Sequence, residues 1–338
     1  MITKHIKGNT ALQEAADIIT SGGTVIFPTE TVYGLGANAL DKTAVTKIYE
    51  AKGRPADNPL IVHIADVSQL DGIARDVPKE AYELFRRYAP GPLTVVLKRN
   101  ANIPAEISAG LDTVAVRIPS HPIANALIRL SGCPIAAPSA NLSGKPSPTC
   151  YAHVKDEMDG RVDMIIDGGE SDIGLESTVV SLAGDEPILL RPGAITLRQL
   201  EDVLGRVELS HSIFAEYDGT AASPGMKYRH YAPKAKVVLV RGYDSEVRSF
   251  IKSKIRSKED CGVLCFDGEE EFFCEAVTRS YGIPSEPRTL AHNLFDALRF
   301  FDETPVSVIY ARVADGDGIE MAVLNRLIKA AGFTVIEV

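Results

Sequence analysis

Short apolar runs and segments of helical period alternate along the first part of the chain. The spacing of the apolar positions predicts helices over residues 10–21, 41–51, 78–89 and 121–131. Strands are predicted over residues 24–27, 60–64, 93–98, 113–119, 134–137, 162–167, 177–182 and 187–191. Because strands outnumber helices and several neighbours are joined by short turns, we expect a mixed sheet with helices packed on it.

The rhythm of the pattern changes after residue 235. Predicted strands over 236–241, 261–266, 306–311 and 333–337 alternate with predicted helices over 244–257, 270–280, 290–302 and 319–331. This alternation is typical of a small parallel α/β domain. Residues 205–235 lack periodicity, so we predict a first domain over 1–204, a linker or lid over 205–235 and a second domain over 236–338.

Composition narrows the class of protein. Apolar residues make up 45% of the 338 residues, enough for a proper core, and the net charge is −9. An acidic chain does not suit the neutralisation of nucleic-acid phosphates over a wide face, although it is compatible with a local basic pocket for a small anion. The five cysteines lack the spacing of a zinc site, and we predict no metal site. With no signal-peptide core and no membrane-spanning run, a cytoplasmic protein is expected.

Residues 28–36 read Pro-Thr-Glu-Thr-Val-Tyr-Gly-Leu-Gly and directly follow the apolar run 24–27. Glycine lets a backbone approach a ligand closely, and hydroxyl groups fix the orientation of that ligand. A strand that opens into such a loop is suited to gripping a small polar molecule. The same residues also fit an ordinary turn, and this stretch alone does not decide between the two.

Cations occur at two further places. Lys52 and Arg54 lie on a loop after a predicted helix, where they could hold an anion or simply be a solvated helix end. Arg117 shares one face of an alternating strand with Thr113, so it points to a solvated surface or into a polar cavity. His63 lies on another predicted strand, where a lone histidine is more often structural than functional.

A second polar loop, residues 138–149, contains three serines that could cradle phosphates. The segment 223–233 is unusually basic and aromatic for a linker, and it is either a lid over a nucleotide or a segment docked between the domains. Polar loops at several strand ends predict a site for a nucleotide and a small polar co-substrate. No Cys–His or Ser–His–Asp order stands out, so positioning and charge stabilisation are expected to carry the reaction.

Taken together, several segments resemble the YrdC-like domain. They are residues 28–36, 52–54, 58–63, 90–92, 113–117, 138–141, 176–178 and 191–193. The tail resembles that of the Sua5 type of threonylcarbamoyl-AMP synthase, whose members add a linker and a C-terminal Rossmann-like domain. The resemblance covers essentially the whole chain. It implies an α/β fold with a YrdC-like mixed twisted sheet and helices around an open cavity, plus a smaller Rossmann-like parallel domain.

The resemblance implies an enzyme, a nucleotidyltransferase that makes threonylcarbamoyl-AMP and pyrophosphate from L-threonine, bicarbonate or CO2, and ATP. Mg²⁺ would accompany ATP without a dedicated protein cage. The product would pass to a separate transferase complex that forms t6A in tRNA, and this chain would not necessarily contact tRNA.

Roles for individual residues also follow from the resemblance. The threonine side would consist of Thr31, His63, Arg117 and Ser177. The ATP side would consist of Lys52, Arg54, Asn58, Thr113, Ser139, Asn141, Ser147, Arg191 and Tyr231. Lys52 and Arg54 are also predicted to be catalytic, whereas Glu30 receives no role.

Two other hypotheses belong to different classes. A basic cavity that grips RNA without catalysis predicts salt-dependent affinity for bare tRNA. A second domain that acts as a separate nucleotide sensor predicts that ATP affinity changes when residues 236–338 are deleted.

Overall fold

The described residues form two β-sheets. The computed structural model describes residues 2–216, 219, 230–257 and 260–338. Of the predicted lid over 223–233, residues 223–229 lie outside the described residues. Within the described part, no helix combines the length and apolarity needed to cross a bilayer.

The strands of the first sheet are β1 Lys4–Lys7, β2 Val25–Phe27, β3 Gly34–Asn38, β4 Ile61–His63, β5 Leu93–Lys98, β6 Thr113–Arg117, β7 Ile135–Ala136, β8 Met164–Asp167, β9 Thr178–Ser181, β10 Ile188–Arg191 and β11 Glu208–Leu209. Their order in the sheet is β1-β8-β2-β3-β7-β4-β6-β5-β9-β10-β11. Parallel pairs such as β4 with β6 occur beside antiparallel pairs such as β5 with β6. The predicted mixed sheet is confirmed.

The helices of this first unit are α1 Leu12–Thr20, α2 Lys42–Lys52, α3 Lys79–Tyr88, α4 Pro122–Ser131, α5 Tyr151–Met158 and α6 Leu197–Leu204. The strict alternation along β6 separates two cores, as expected from a strand of period two. Val114 and Val116 join the main core, whereas Ala115 packs in a small cluster on the opposite face.

The second sheet consists of β12 Lys236–Arg241, β13 Cys261–Cys265, β14 Val277–Ser280, β15 Val308–Arg312 and β16 Val335–Glu337. Its strands are all parallel, in the order β14-β13-β15-β12-β16, and they alternate with α7 Asp244–Ser257, α8 Pro287–Phe300 and α9 Ile319–Ala330. The predicted small parallel α/β unit is therefore confirmed.

One predicted helix is wrong. Residues 270–280 contain a short 3-10 turn, Glu270–Phe273, followed by strand β14. The β-branched Val277 and Thr278 pair with Gly262 and Val263 of β13, so the neighbouring strand overrides the local helical spacing.

The predicted linker also contains regular structure. Glu208 and Leu209 form β11, which pairs with β10 at the edge of the first sheet. Residues 208–209 of the predicted linker therefore join the first sheet, and the boundaries 1–204, 205–235 and 236–338 stay a prediction.

The two units share an apolar interface. Val32 and Leu175 of the first unit pack in the same buried cluster as Leu294 and Phe295 of α8. The backbone at Gly174 approaches α8 so closely that an added Cβ would lie 2.4 Å from the His292 carbonyl oxygen. Only glycine fits this point of contact, where φ is also +79°.

Candidate functional site: a cavity between strand ends and the second unit

Register brings the predicted polar residues to one edge of the first sheet. His63 at the end of β4 pairs with Arg117 at the end of β6, and Arg117 pairs with Thr94 near the start of β5. Thr94 Oγ1 lies 2.7 Å from Ser177 Oγ, which directly precedes β9. Parallel strands end at the same edge of a sheet, and a strand antiparallel to them begins at that edge. Residues far apart in sequence therefore meet there.

A cavity lies at this edge, and the space inside it that a water molecule could occupy is about 60 Å³. All four residues assigned to threonine line it, together with five of those assigned to ATP. These nine residues are Thr31, His63, Arg117, Ser177, Arg54, Ser139, Asn141, Arg191 and Tyr231.

Arg117 lines the cavity and contacts two residues of the motif 28–36. Its Nη1 donates to Thr31 Oγ1 at 2.9 Å, and its Nη2 lies 2.7 Å from Glu30 Oε1. Both charged side chains are buried, so this is a desolvated ion pair. Glu30, which the sequence left without a role, is therefore the partner of Arg117. The second carboxylate oxygen of Glu30 is buried and has no hydrogen-bond partner among the described residues.

Glu30 is held in its charged form by this partner. Burial acts to raise the pKa of the carboxyl group, but the charge and hydrogen bond of Arg117 outweigh it and keep the pKa below its ordinary value. The guanidinium thus presents Nη1 beside a hydroxyl group and Nη2 beside a carboxylate, an arrangement that already binds one carboxylate within the cavity wall.

Lys52 organises the loop that follows β7. It is the last residue of α2, and Gly53 ends the helix in the left-handed conformation with φ +59°. The buried ammonium group donates to the carbonyl oxygens of Ser139 and Asn141 at 2.5 and 2.6 Å. Burial and the nearby charge of Arg54 hold the pKa of Lys52 well below its ordinary value.

Arg54 also lines the cavity. Its Nη2 donates to the carbonyl oxygens of Asn58 and Pro59 at 3.0 and 3.2 Å, which fixes the direction of the guanidinium. Its Nε is buried without a hydrogen-bond partner among the described residues. Burial lowers the pKa of Arg54 to about 10, so the group stays positive at neutral pH.

Ser177 and Arg191 form one connected unit. Arg191 Nε donates to the Ser177 carbonyl oxygen at 3.0 Å, and Nη2 donates to Ser177 Oγ at 3.2 Å. Burial lowers the pKa of Arg191, and a nearby positive charge, Arg326, contributes to that shift. Ser177, predicted to bind threonine, and Arg191, predicted to bind ATP, are therefore in direct contact.

Glu176 and Ser147 extend this unit toward the second sheet. Ser147 Oγ donates to Glu176 Oε1 at 2.5 Å, and Glu176 Oε2 accepts from Nε of Arg326 at 2.8 Å. Arg326 belongs to α9, so the second unit supplies one partner of a carboxylate that lines the cavity. Sequence reasoning missed Glu176 and Arg326 as site residues, because their pairing spans 150 positions.

Tyr231 closes the cavity at the junction of the two units. Its ring centroid lies 5.1 Å from that of Phe295 on α8, and the guanidinium of Arg326 lies 5.8 Å from the Tyr231 ring centroid. The neighbouring His230 also lines the cavity. Tyr231 is only 5% exposed, so the described end of the predicted lid is docked between the units. Closure of the whole segment over a nucleotide stays a prediction.

Four predicted ATP residues lie outside the cavity lining. Lys52, Asn58 and Ser147 contact lining residues, as described above. Thr113 is different, because it starts β6 while Arg117 ends it, and four residues of strand correspond to about 13 Å. It pairs with Lys98 of β5, and the structure does not bring it to the cavity.

His63 is a neutral group in this site. Burial, reinforced by the charge of Arg117, lowers the pKa of His63 from 6.5 to about 3. Its Nδ1 is buried with no hydrogen-bond partner among the described residues. A neutral imidazole beside Arg117 can orient a polar ligand without adding a second positive charge.

This shift predicts how stability depends on pH. Because the unfolded chain protonates His63 near pH 6.5 and the folded chain only near 3, stability is full above 6.5 and falls as pH drops toward 3. We expect the melting temperature of His63→Gln to fall less steeply than that of the wild type between pH 6.5 and 4. His211→Gln, at an exposed position, is the control. Parallel curves for wild type and His63→Gln would contradict the burial of a neutral imidazole.

Known proteins share both parts of this architecture. The family described as "Telomere recombination", which comprises Sua5, YciO and YrdC, matches residues 17–193. The family "Threonylcarbamoyl-AMP synthase, C-terminal domain" matches residues 195–332.

Whole-length relatives and a solved structure agree with those matches. Threonylcarbamoyl-AMP synthase from Pyrococcus abyssi is 49% identical over 96% of this chain and 95% of its own length. The Bacillus subtilis protein of the same name is 48% identical over 96% of this chain and 94% of its own length. The crystal structure of P. abyssi Sua5 complexed with L-threonine superposes with a TM-score of 0.93, at 46% identity, and covers 100% of both chains. The chain therefore belongs to the Sua5-type threonylcarbamoyl-AMP synthase family.

Proposed function

We propose that this enzyme is an L-threonylcarbamoyladenylate synthase that converts L-threonine, bicarbonate or CO2, and ATP into threonylcarbamoyl-AMP and pyrophosphate. The observation that carries the proposal is one cavity whose lining contains both sets of predicted residues. Arg117, Thr31 and Ser177 offer a guanidinium and hydroxyls, and Arg54 and Arg191 offer two further guanidinium groups in the same lining. The solved relative that superposes on the whole chain was crystallised with L-threonine.

The threonine half of the site would use Arg117 for the amino-acid carboxylate. Arginine matches a carboxylate through two parallel hydrogen bonds. Glu30 already occupies Nη2, so a ligand carboxylate would share or replace this contact. Thr31 and Ser177 would donate to or accept from the polar groups of threonine, and the neutral His63 would orient the same ligand without charge repulsion from Arg117.

The nucleotide half would use Arg54 and Arg191 to hold phosphate oxygens, with Ser139 and Asn141 in the adjacent loop. Lys52 was predicted to be catalytic together with Arg54. Its ammonium group holds the backbone carbonyls of that loop, so we propose a positioning role for Lys52 and direct phosphate contact for Arg54. The roles of Asn58, Ser147 and Thr113 stay predictions.

The reaction needs two bond-forming steps. The amine of threonine would capture CO2 as a carbamate, and a carbamate oxygen would then attack the α-phosphorus of ATP as pyrophosphate leaves. This chain would contribute alignment of the two substrates and positive charge around the leaving phosphates. The classification as a nucleotidyltransferase follows from that second step.

Mg²⁺ fits this site only as a companion of the triphosphate. Among the described residues, no group of three or more histidine, cysteine or acidic side chains could hold a metal ion. Glu176, which lines the cavity, already pairs with Arg326, and Glu30, next to the lining residue Thr31, pairs with Arg117. Phosphate oxygens and water would therefore supply most ligands of the ion, as is usual for Mg²⁺.

The proposed product is a mixed anhydride, and it would be passed to a transferase complex that forms t6A in tRNA. Binding of tRNA by this chain is not required for that step. The alternative, an RNA-binding module without catalysis, is less well supported, because the cations that line the cavity point inward and the chain is acidic overall. The cytoplasmic location stays a prediction.

A substrate-omission assay tests the proposed function. Pyrophosphate release is expected only when L-threonine, bicarbonate and ATP are all present, and mass spectrometry should detect the adenylate in the same samples. D-threonine serves as the control substrate, since it offers the same groups with the wrong stereochemistry. Pyrophosphate release that is unchanged without threonine would contradict the proposal. Salt-dependent tRNA binding without adenylate formation would favour the RNA-binding alternative.

A further inference from the structure

Arg326 is the largest fully buried side chain of the molecule's described part, although arginine is rarely buried. It lies on α9 of the second unit and is 0% exposed. Its Nε and Nη2 donate to Glu176, at 2.8 Å to the carboxylate and 3.2 Å to the carbonyl oxygen. Its Nη1 donates to the carbonyl oxygen of Pro192 and to Asn325 Oδ1, both at 2.9 Å.

These contacts reach the two segments that carry the cavity residues Ser177 and Arg191. Glu176 directly precedes Ser177, and Pro192 directly follows Arg191. Arg191 and Ser177 are themselves joined by two hydrogen bonds. One guanidinium from the second unit therefore fixes the backbones that carry both residues.

Charge gives Arg326 a second effect. Glu176 lines the cavity, and a buried carboxylate there would repel the phosphates of a nucleotide. Burial acts to raise the pKa of Glu176, but Arg326 and Arg191 lower it, so the carboxylate is charged. The ion pair with Arg326 neutralises this charge at the place where an anion would bind.

We propose that Arg326 is a positioning residue for nucleotide binding: the second unit completes the site by neutralising Glu176 and aligning Ser177 with Arg191. This inference rests on the proposed function, since it takes the nucleotide to be bound in this cavity. It gives the second unit a part in the site itself, in place of a separate sensor role.

The experiment measures binding of a non-hydrolysable ATP analogue by calorimetry, together with KM for ATP and for threonine. Arg326→Met is expected to weaken analogue binding by about tenfold or more. The variant removes the hydrogen bonds to Glu176 and Pro192 and leaves the Glu176 carboxylate without its arginine partner on α9. Glu176→Gln combined with Arg326→Met removes both charges and is expected to recover part of that affinity. Equal affinity in the wild type and Arg326→Met would overturn the proposal.

Arg299→Met is the matched control. Arg299 lies on α8 and reaches across the same interface to Glu157 at 2.6 Å, but neither residue lines the cavity. A purely structural role for Arg326 would lower the active fraction and kcat in both arginine variants and leave KM for ATP unchanged. That outcome would also overturn the proposal. If Arg326→Met does not fold, Arg326→Gln, which removes the charge but keeps a polar side chain, takes its place, and wild-type affinity for the analogue in that variant refutes the proposal.

Failure of this inference is separable from failure of the proposed function. Calorimetry with the analogue does not require catalysis, so a wild type that makes no adenylate can still show the effect of Arg326→Met on binding. Conversely, the wild type could make the adenylate while Arg326→Met binds the analogue normally. That result would support the proposed function and refute the positioning role of Arg326.

Discussion

Arg117→Ala is expected to lower kcat/KM for L-threonine by about 100-fold or more, since hydrogen bonds between charged groups contribute about 1.5–3 kcal/mol each. The variant removes the one guanidinium that lies beside Thr31 and Glu30 in the cavity wall. ATP affinity should change much less, because Arg54 and Arg191 are intact. Threonine-dependent pyrophosphate release and calorimetry with the ATP analogue measure the two effects separately.

The same substitution should also destabilise the fold. Removal of one partner of a buried ion pair typically costs about 3–5 kcal/mol, because the other charge is left without compensation. Arg117→Ala combined with Glu30→Gln should therefore recover stability in thermal unfolding but not activity. Arg75→Ala, which breaks an exposed pair with Asp112 at 2.5 Å, is the control and should cost less than about 1 kcal/mol. Recovery of activity in the double variant would contradict the role of Arg117 in threonine binding.

Arg54→Met is expected to raise KM for ATP by about 10- to 100-fold, which corresponds to the loss of one charge-assisted contact with phosphate. The backbone carbonyls of Asn58 and Pro59 fix its guanidinium, and its Nε has no partner among the described residues. Methionine keeps much of the length of the side chain, so the loop should stay folded. Initial rates at varied ATP, with threonine and bicarbonate saturating, measure the effect.

Two comparisons sharpen this second prediction. Arg54→Lys should recover only part of the affinity, because an ammonium group cannot reproduce the planar fork of donors. Threonine affinity, measured by ligand-induced thermal shift, should stay close to that of the wild type. An equal loss of threonine and ATP affinity would mean that Arg54 supports the cavity as a whole and does not bind the nucleotide specifically.

Sequence periodicity anticipated the framework that positions the site. Strands β4, β5 and β6 lie where apolar runs were predicted, and Asp41 caps α2 by accepting from the backbone amides of Thr43 and Ala44. Local rules suffice for such elements, since side-chain period and capping depend on neighbours within a few residues. The resemblance to the YrdC-like domain then selected polar residues at the strand ends. All four residues predicted to bind threonine do line one cavity.

Local rules failed where a neighbouring element decides the structure. The motif 28–36 was predicted as a loop throughout, but Gly34 and Gly36 are already in β3, paired with β2. An added Cβ at Gly36 would lie 2.6 Å from the Phe27 ring, so glycine there serves close packing of strands. The helix predicted over 270–280 failed for the same reason, because pairing with β13 outweighs its local period.

The sequence by itself determined the mixed and parallel sheets and the polar loops at their strand ends, because hydrophobic period and turn chemistry are local properties. Only the tertiary structure decided which charges pair. Glu30 meets Arg117 across 87 positions, and Glu176 meets Arg326 across 150. The register of the strands brings the first pair together, and the docking of the second unit brings the second pair together. Burial then makes each pairing necessary, since an unpaired charge inside the protein is strongly unfavourable.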